Sequence, residues 1–386
     1  MTGLTRLLLA LLVSCAFNLP AAAEMPATST AAATSSTLST ASVSTSAEAP
    51  AEKIAPYVPR FGRSRPVVVV VGENNGTVLV DFVIPYAVLA QSGVADVVSL
   101  ATQAGPLKLP PLQITPDRTV AQFDVGYPDG ADYVFVPAVV KNHDPSLIAW
   151  VTSQAVKGAT LVSICNGSLV LANAGLTRGH RATGHWSTYE SRVKTYPDTH
   201  WLKNTRYVAD GKIVSSAGIS AALPTSLALV EAIAGTVRAE TLARQLGVSY
   251  WGTKHDSDVF HLRLSDYMTA FSNTLLHASQ DIGVSLTPGV DEIALALSAE
   301  AYADTLRANV LGVAPSEAPV RTRNGLLFIP DRVAGQGKPL DLLLPQSDTT
   351  PSAQMQDQLI DDIRRRYGAS TARFVVLDWE YAMHER

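Results

Sequence analysis

Two cysteines, Cys15 and Cys165, are all that this 386-residue chain contains, so no disulfide framework holds it together. Charge of either sign is thin as well: charged residues make up 17% of the chain, and the net charge of −4 offers no basic face for nucleic acid. The largest basic cluster, Arg364-Arg365-Arg366, follows Asp361-Asp362 on an expected helix and reads as a solvated face. No apolar run reaches the roughly 20 residues of a spanning helix. With 47% hydrophobic residues the chain is nevertheless well supplied for a core, and its length suits two domains.

The longest N-terminal apolar run, Leu7 to Val13 after Arg6, reads as a targeting segment (residues 1–23) and is set aside from the fold. Two cleavage sites compete. Ala21-Ala22-Ala23 suits an ordinary signal peptidase, whereas Leu12-Val13-Ser14-Cys15 resembles a bacterial lipobox whose cysteine is lipidated. Both imply a periplasmic or secreted chain, and any membrane link would be a lipid anchor. If Ala23 is the last residue removed, Cys165 is the only thiol of the mature chain. Residues 24–60 are dominated by Ser, Thr, Ala and Pro and are expected to be a disordered linker.

From Pro66 the pattern alternates strand and helix, which predicts a right-handed, parallel α/β sheet. Pro66 to Val71 reads as a first strand, Asp81 to Ser92 as a helix stopped by Gly93, and Asp96 to Ala101 as a second strand. Leu107 to Val125 is Pro-rich and is expected to be an excursion of short strands rather than a helix. Asp132 to Val136 follows as a strand, with Pro137-Ala138-Val139 at its carboxyl end, and Asp144-Pro145 caps a helix that ends at Gly158. Then comes the stretch on which the rest depends. Leu161 to Ile164 is a fully apolar strand that runs into Cys165, turns at Asn166-Gly167 and restarts as a helix near Ser168. This is a nucleophile elbow carrying cysteine, with the sulfur expected at the sheet's carboxyl edge over a helix N-terminus that favours thiolate. The competing interpretation is an inert core cysteine. Arg181 to Trp186 is expected to be a short strand ending at His185, Arg206 to Ser216 a hairpin turned at Asp210-Gly211, and Ala221 to Ala234 and Ala239 to Leu246 closing helices.

Four segments, in order, resemble the DJ-1/PfpI superfamily over residues 66–248, closest to its isonitrile hydratases and the sensor domains of AraC-type regulators. They are Val80-Asp81-Phe82-Val83-Ile84-Pro85, the elbow Ser163 to Leu176, Arg181 to Trp186, and Ile213 to Ile219. The resemblance implies a flavodoxin-like parallel sheet sandwiched by helices. It implies that Cys165 is the reactive cysteine, that Asp81 is the acid beside it, and that His185 is the neighbouring histidine, in the chemistry or behind it. Asn166, Gly167 and Val139 would line the oxyanion pocket. For Asp81 the alternative is a plain helix N-cap. Two positions depart from the hydratase pattern: Asn166 stands where a threonine is usual, and Ile84-Pro85 replaces Gly-Pro. No cofactor or metal is implied. Relatives of this kind are commonly dimers, so a homodimer is expected.

Residues 249–386 are expected to form a C-terminal α+β extension of unknown role, which completes or covers the first domain or hangs from it. Leu262 to His277, Asp291 to Ala308 and Ser352 to Tyr367 read as helices, Val320 to Pro330 as a hairpin turned at Asn324-Gly325, and Arg373 to Tyr381 as a strand. His255, Asp258 and His261 could face a metal, but their loose spacing fits polar surface better. There is no second elbow, no helix-turn-helix pattern and no Gly-rich phosphate loop. Two functional classes follow: a cysteine-dependent hydratase or hydrolase acting on a small electrophile such as an isonitrile, or a non-enzymatic ligand or oxidation sensor that has no DNA-binding module.

Overall fold

The computed structural model describes residues 52–344 and 350–382. The targeting segment and most of the expected linker lie outside the described residues. The last part of that linker, from Glu52, runs along the surface of the first domain: Ile54 is buried and the Tyr57 N–H donates to Ala232 O at 2.9 Å.

The first unit runs β1 (Val67–Gly72), α1 (Leu79–Ser92), β2 (Asp96–Ala101), β3 (Leu107–Leu109), β4 (Leu112–Thr115), β5 (Arg118–Thr119), α2 (Val120–Gly126), β6 (Tyr133–Val136), α3 (Pro145–Val156), β7 (Thr160–Ser163), α4 (Gly167–Asn173), β8 (Arg181–Ala182), α5 (Tyr189–Thr195), β9 (His200–Trp201), β10 (Tyr207–Asp210), β11 (Ile213–Ser216), α6 (Ala222–Ala234) and α7 (Thr236–Leu246). Its seven-stranded sheet has the order β10-β11-β7-β6-β1-β2-β5, and every pairing except the β10–β11 hairpin is parallel. The valines of β1 show why such a strand must be apolar throughout. Val68 and Val70 enter one core with α1, while Val67, Val69 and Val71 enter the other with Phe123 and Trp150. The Pro-rich excursion is short strands only as far as Thr119; Val120–Gly126 is helical, because Thr119 and Gln122 form a reciprocal capping box that the three prolines upstream do not disturb.

The C-terminal segment differs from the expected α+β arrangement. It runs β12 (Gln280–Ser285), α9 (Glu292–Asp304), β13 (Ala308–Ala314), β14 (Val320–Arg321), β15 (Leu327–Phe328), β16 (Arg332–Val333), β17 (Leu342–Leu344), α10 (Met355–Tyr367) and α11 (Ala369–Trp379), with α8 (Leu264–Leu275) before it. The sheet β16-β13-β12-β17 is wholly parallel, so the segment is α/β. Gly283 and Gly312 sit in its central strands, with glycine, Gln280 and Asn309 diluting the apolar runs by which parallel strands are recognised. The second correction is Arg373 to Tyr381, which is the helix α11 rather than a strand. Phe374-Val375-Val376-Leu377 has strand-like composition, but Ala372, Val375 and Trp379 lie on one helical face that packs into the main core. Tertiary packing outweighs β-propensity there.

The two sheets belong to one body. Leu79, Val83 and Ala87 of α1 share a core with Ile293, Leu297 and Ala301 of α9, and β4 pairs antiparallel with β15 in a four-stranded sheet of order β14-β15-β4-β3. No helix among the described residues is long and apolar enough to cross a membrane.

Candidate active site around Cys165

Strand β7 delivers Cys165 at its carboxyl end with φ of 56°, the left-handed region that a non-glycine residue enters only under constraint. The constraint is visible on both sides. The Cys165 N–H donates to Ala217 O at 3.0 Å beyond β11, and α4 starts two residues later. Gly167 is obligatory here: a Cβ would lie 1.9 Å from Val136 O. Gly167→Ala is therefore expected to cost about 3 kcal/mol through overpacking, as a fall in the urea midpoint at unchanged m; a loss below about 0.5 kcal/mol would mean that the elbow is not pressed on β6.

Cys165 is buried and lines a small, partly open cavity of about 70 Å³, room for a few non-hydrogen atoms. Asn166, His185, Thr77, Ala138 and Ile219 of the first unit also line it. Opposite them stand three carboxyl residues of the C-terminal segment, Glu300 and Asp304 of α9 and Asp378 of α11. Nothing in the sequence placed these beside the cysteine; they are more than 130 positions away, two in a segment expected to be a helix and Asp378 in one expected to be a strand.

Asp81 is in the first turn of α1 and is not the helix cap, since the N-cap position is Val78 and no side chain caps it. Its Oδ2 accepts from the Ala138 N–H at 3.1 Å, while the buried Oδ1 has no hydrogen-bond partner. Burial, reinforced by the charge of Asp378 and opposed by the Ala138 N–H, pushes its carboxyl up to about 7. The thiol of Cys165 is also pushed well up, by burial and then by the charge of Asp81, against the pull of the Asn166 backbone N–H. The expected gain from the helix N-terminus is thus outweighed, and the sulfur rests as a thiol that needs a base at the moment it reacts.

His185 is buried on the cavity wall, and both ring nitrogens are engaged: Nε2 lies 3.0 Å from Asp378 O, to which it donates, and Nδ1 lies 2.7 Å from Ser187 Oγ. Burial holds the ring's proton affinity down, so it is neutral. Asn166 Oδ1 accepts from the Thr188 hydroxyl at 2.7 Å, and the buried Arg192 donates to Thr188 Oγ1 and to His185 O. Arg192 therefore ties the amide beside the cysteine to the loop that carries His185. Of the expected oxyanion residues, Asn166 is in the cavity. The Gly167 N–H donates instead to Ile164 O at 2.8 Å, and Val139 packs in the core on the far side of the sheet; Ala138 and Val140 take its place on the wall.

Glu380 is the residue that locks the C-terminal segment onto this site. It sits fully buried at φ of 51°, and its Oε2 accepts from Gly218 N at 2.7 Å and Trp186 N at 3.1 Å. Its Oε1 takes His255 Nε2 at 3.0 Å and Ser257 Oγ at 2.9 Å. His255 is thus a partner of Glu380 and not of Asp258 and His261, and no group of three or more His, Cys, Asp or Glu among the described residues could hold a metal.

A parallel sheet whose strand-terminal cysteine is held at positive φ over a helix, with a proton-bearing acid on the neighbouring helix, defines the class of flavodoxin-like nucleophile-elbow proteins. Residues 65–232 match the DJ-1/PfpI family, and the chain carries a DJ-1/PfpI domain. It is 35% identical over 103 residues to an isonitrile hydratase of Pseudomonas putida, a match covering 27% of this chain and 44% of that protein. It is 34% identical over 101 residues to the HTH-type transcriptional regulator CdhR of Pseudomonas aeruginosa, covering 26% of this chain and 30% of that one. The matches span less than half the length of both relatives. Among solved structures, Drosophila melanogaster DJ-1beta aligns with 24% identity and a TM-score of 0.44, covering 48% of this chain and 100% of that one.

Proposed function

We propose that this is an extracytoplasmic, cysteine-dependent enzyme that adds water to a small electrophile of the isonitrile type. The observation that carries the reading is a strained elbow cysteine on a cavity wall whose thiol feels the charge of a buried acid, Asp81, itself pushed up to about 7. At pH 7 Asp81 is divided between carboxylate and acid. The carboxylate takes the thiol proton as Sγ bonds to the terminal isonitrile carbon, and returns that proton to the same carbon, giving a thioimidate. Water then adds to this carbon, the C–S bond breaks, and the thiol is re-formed with release of an N-substituted formamide. One water is consumed for each isonitrile, and no redox partner is needed. The Asn166 N–H next to the sulfur steadies negative charge as it develops there. Location outside the cytoplasm rests on the apolar run Leu7 to Val13 and the small residues after it.

The test is a panel of isonitriles, 2-oxoaldehydes and peptides given to wild type and Cys165→Ala. Turnover of an isonitrile to its formamide, lost by at least about a thousandfold in Cys165→Ala, is the expected result. If nothing turns over while peroxide alone adds whole oxygens at Cys165, the sensor class replaces the enzyme.

A further inference from the structure

The C-terminal sheet repeats the strand plan of the first half of the first unit, lacking only a counterpart of α2. Strands β6-β1-β2-β5 and β17-β12-β13-β16 have the same order and all-parallel sense, each with a helix between its two central strands and a short hairpin before its edge strand. The registers agree: Val68 pairs with Val97 and Tyr133, and Ile282 pairs with Val310 and Leu342. Pro116-Asp117-Arg118 recurs as Pro330-Asp331-Arg332 at the same edge. Asp117 Oδ2 accepts from the Ser99 N–H at 2.8 Å, and Asp331 Oδ2 accepts from the Gly312 N–H, also at 2.8 Å. Asp132 exchanges two bonds with Val67, N–H to O at 2.9 Å and Oδ2 from N–H at 2.8 Å; Asp341 does the same with Asp281 at 2.9 Å and 2.7 Å. Matching backbone–carboxylate bonds at two separate positions are not produced by shared topology alone.

The two copies meet as the halves of a twofold dimer do. Ile114 pairs with its own counterpart Phe328, Thr115 pairs with Leu327, and the Ile329 N–H donates to Gln113 O at 3.0 Å, where Gln113 corresponds to Leu327 and Thr115 to Ile329. Residue i meeting j while the counterpart of j meets that of i is the signature of an isologous contact. The helices α1 and α9 correspond in the same way and pack on each other. The described part of the second copy stops at β17, the counterpart of β6, and no second elbow follows in the sequence.

We infer that residues 280–344 are a truncated second copy of residues 67–136 acting as a built-in partner subunit, and that its α9 carboxyls, Glu300 and Asp304, make the Cys165 cavity reject anionic ligands in favour of neutral and cationic ones. Glu300 Oε2 accepts from the Val80 N–H at 2.7 Å, one residue from Asp81, and Asp304 Oδ2 accepts from Trp379 Nε1 at 2.8 Å; both residues line the cavity with Cys165. Burial pushes both carboxyls well up, and the neighbouring acids push further, Asp304 and Asp81 on Glu300, Asp378 on Asp304. Both therefore hold their protons more tightly than usual; with no lysine or arginine on the cavity wall, an anionic ligand finds no cation to pair with and opposes any ionisation of these carboxyls, whereas a cationic ligand favours it. The filter rests on Cys165 being the reacting group, as proposed above, and it narrows the substrate to an uncharged or cationic electrophile.

The experiment uses the full processed chain and three thiol reagents, neutral iodoacetamide, anionic iodoacetate and cationic 2-aminoethyl methanethiosulfonate, with rates read from intact mass and divided by those for 2-mercaptoethanol. Wild type is expected to discriminate against iodoacetate relative to iodoacetamide by at least about tenfold. Glu300→Gln and Asp304→Asn, alone and together, are expected to shrink that factor towards one and to lower the relative rate of the cationic reagent. A wild-type factor near one, or a factor unmoved in folded variants, overturns the filter while leaving the reactive cysteine standing. A Cys165 inert to all three reagents in the native state but labelled in urea overturns the reactive-cysteine reading, and the filter falls with it.

Discussion

Glu380→Ala loses about 3–5 kcal/mol of stability and loosens the C-terminal helix from the cysteine site, because it strands the four donors that this one buried carboxylate satisfies. Burial disfavours the charge, but the hydrogen bonds from His255 and from the Trp186 N–H oppose it, and the carboxyl lies below its ordinary range. The sign follows. A depressed carboxyl contributes stability that is present above its unfolded value of 4.5 and is lost as pH falls through the lower folded value. Urea melts at pH 7 give the loss directly. Glu380→Gln separates charge from shape: it keeps one acceptor but turns an N–H₂ towards backbone N–H groups, so it should recover only part of the loss. A melt within about 1 kcal/mol of wild type for Glu380→Ala would show that the contact is not what fastens the segment.

Asp81→Asn changes both the pH dependence of stability and the titration of the thiol. The Asp81 carboxyl rises from 3.8 in the unfolded chain to about 7 in the fold, so the native state holds this proton more tightly. Its contribution is complete below pH 3.8, falls away as pH rises through about 7, and is constant above that, a total on the order of 4 kcal/mol. Asparagine keeps an acceptor for the Ala138 N–H and removes the titration, so the decline of stability between about pH 4 and 7 should become shallower by that order. Because the charge of Asp81 is the second cause of the raised Cys165 thiol after burial, alkylation of Cys165 by iodoacetamide should show its inflection at lower pH in the variant. If the proposed hydration takes place, its turnover is nevertheless expected to fall in the variant, since the group proposed to take and return the proton is gone. An unchanged slope together with an unchanged inflection would place the proton on some other group.

Asp81 and the three cavity carboxyls bear on how a DJ-1/PfpI domain can be altered without touching its elbow. Asp81 belongs to the domain itself, whereas Glu300, Asp304 and Asp378 come from a segment that follows it. Adding a wall changes which molecules reach the sulfur and leaves the sulfur's own geometry to the strand, the turn and Gly167.

Local sequence determined what depends on neighbours in the chain. The five valines of β1, the strand–cysteine–Asn-Gly turn and the Asp144-Pro145 cap each state their conformation within a few residues, since strand burial, left-handed turns and helix caps are short-range constraints. That is why the elbow, the parallel sheet and the placing of Asp81 on the next helix were legible. What only the tertiary structure decided depends on packing between elements that local sequence does not encode. It turned Phe374-Val375-Val376-Leu377 into a helix, moved Val139 to the far face of the sheet and gave His185 a backbone carbonyl as partner. It also brought three carboxyls of the C-terminal segment over Cys165. The physical reason lies in the range of the forces involved. A proton affinity is set by burial and by charges a few ångströms away in space, so that of Cys165 is a property of the assembled cavity, while the strained turn that presents it is already written in Cys165-Asn166-Gly167.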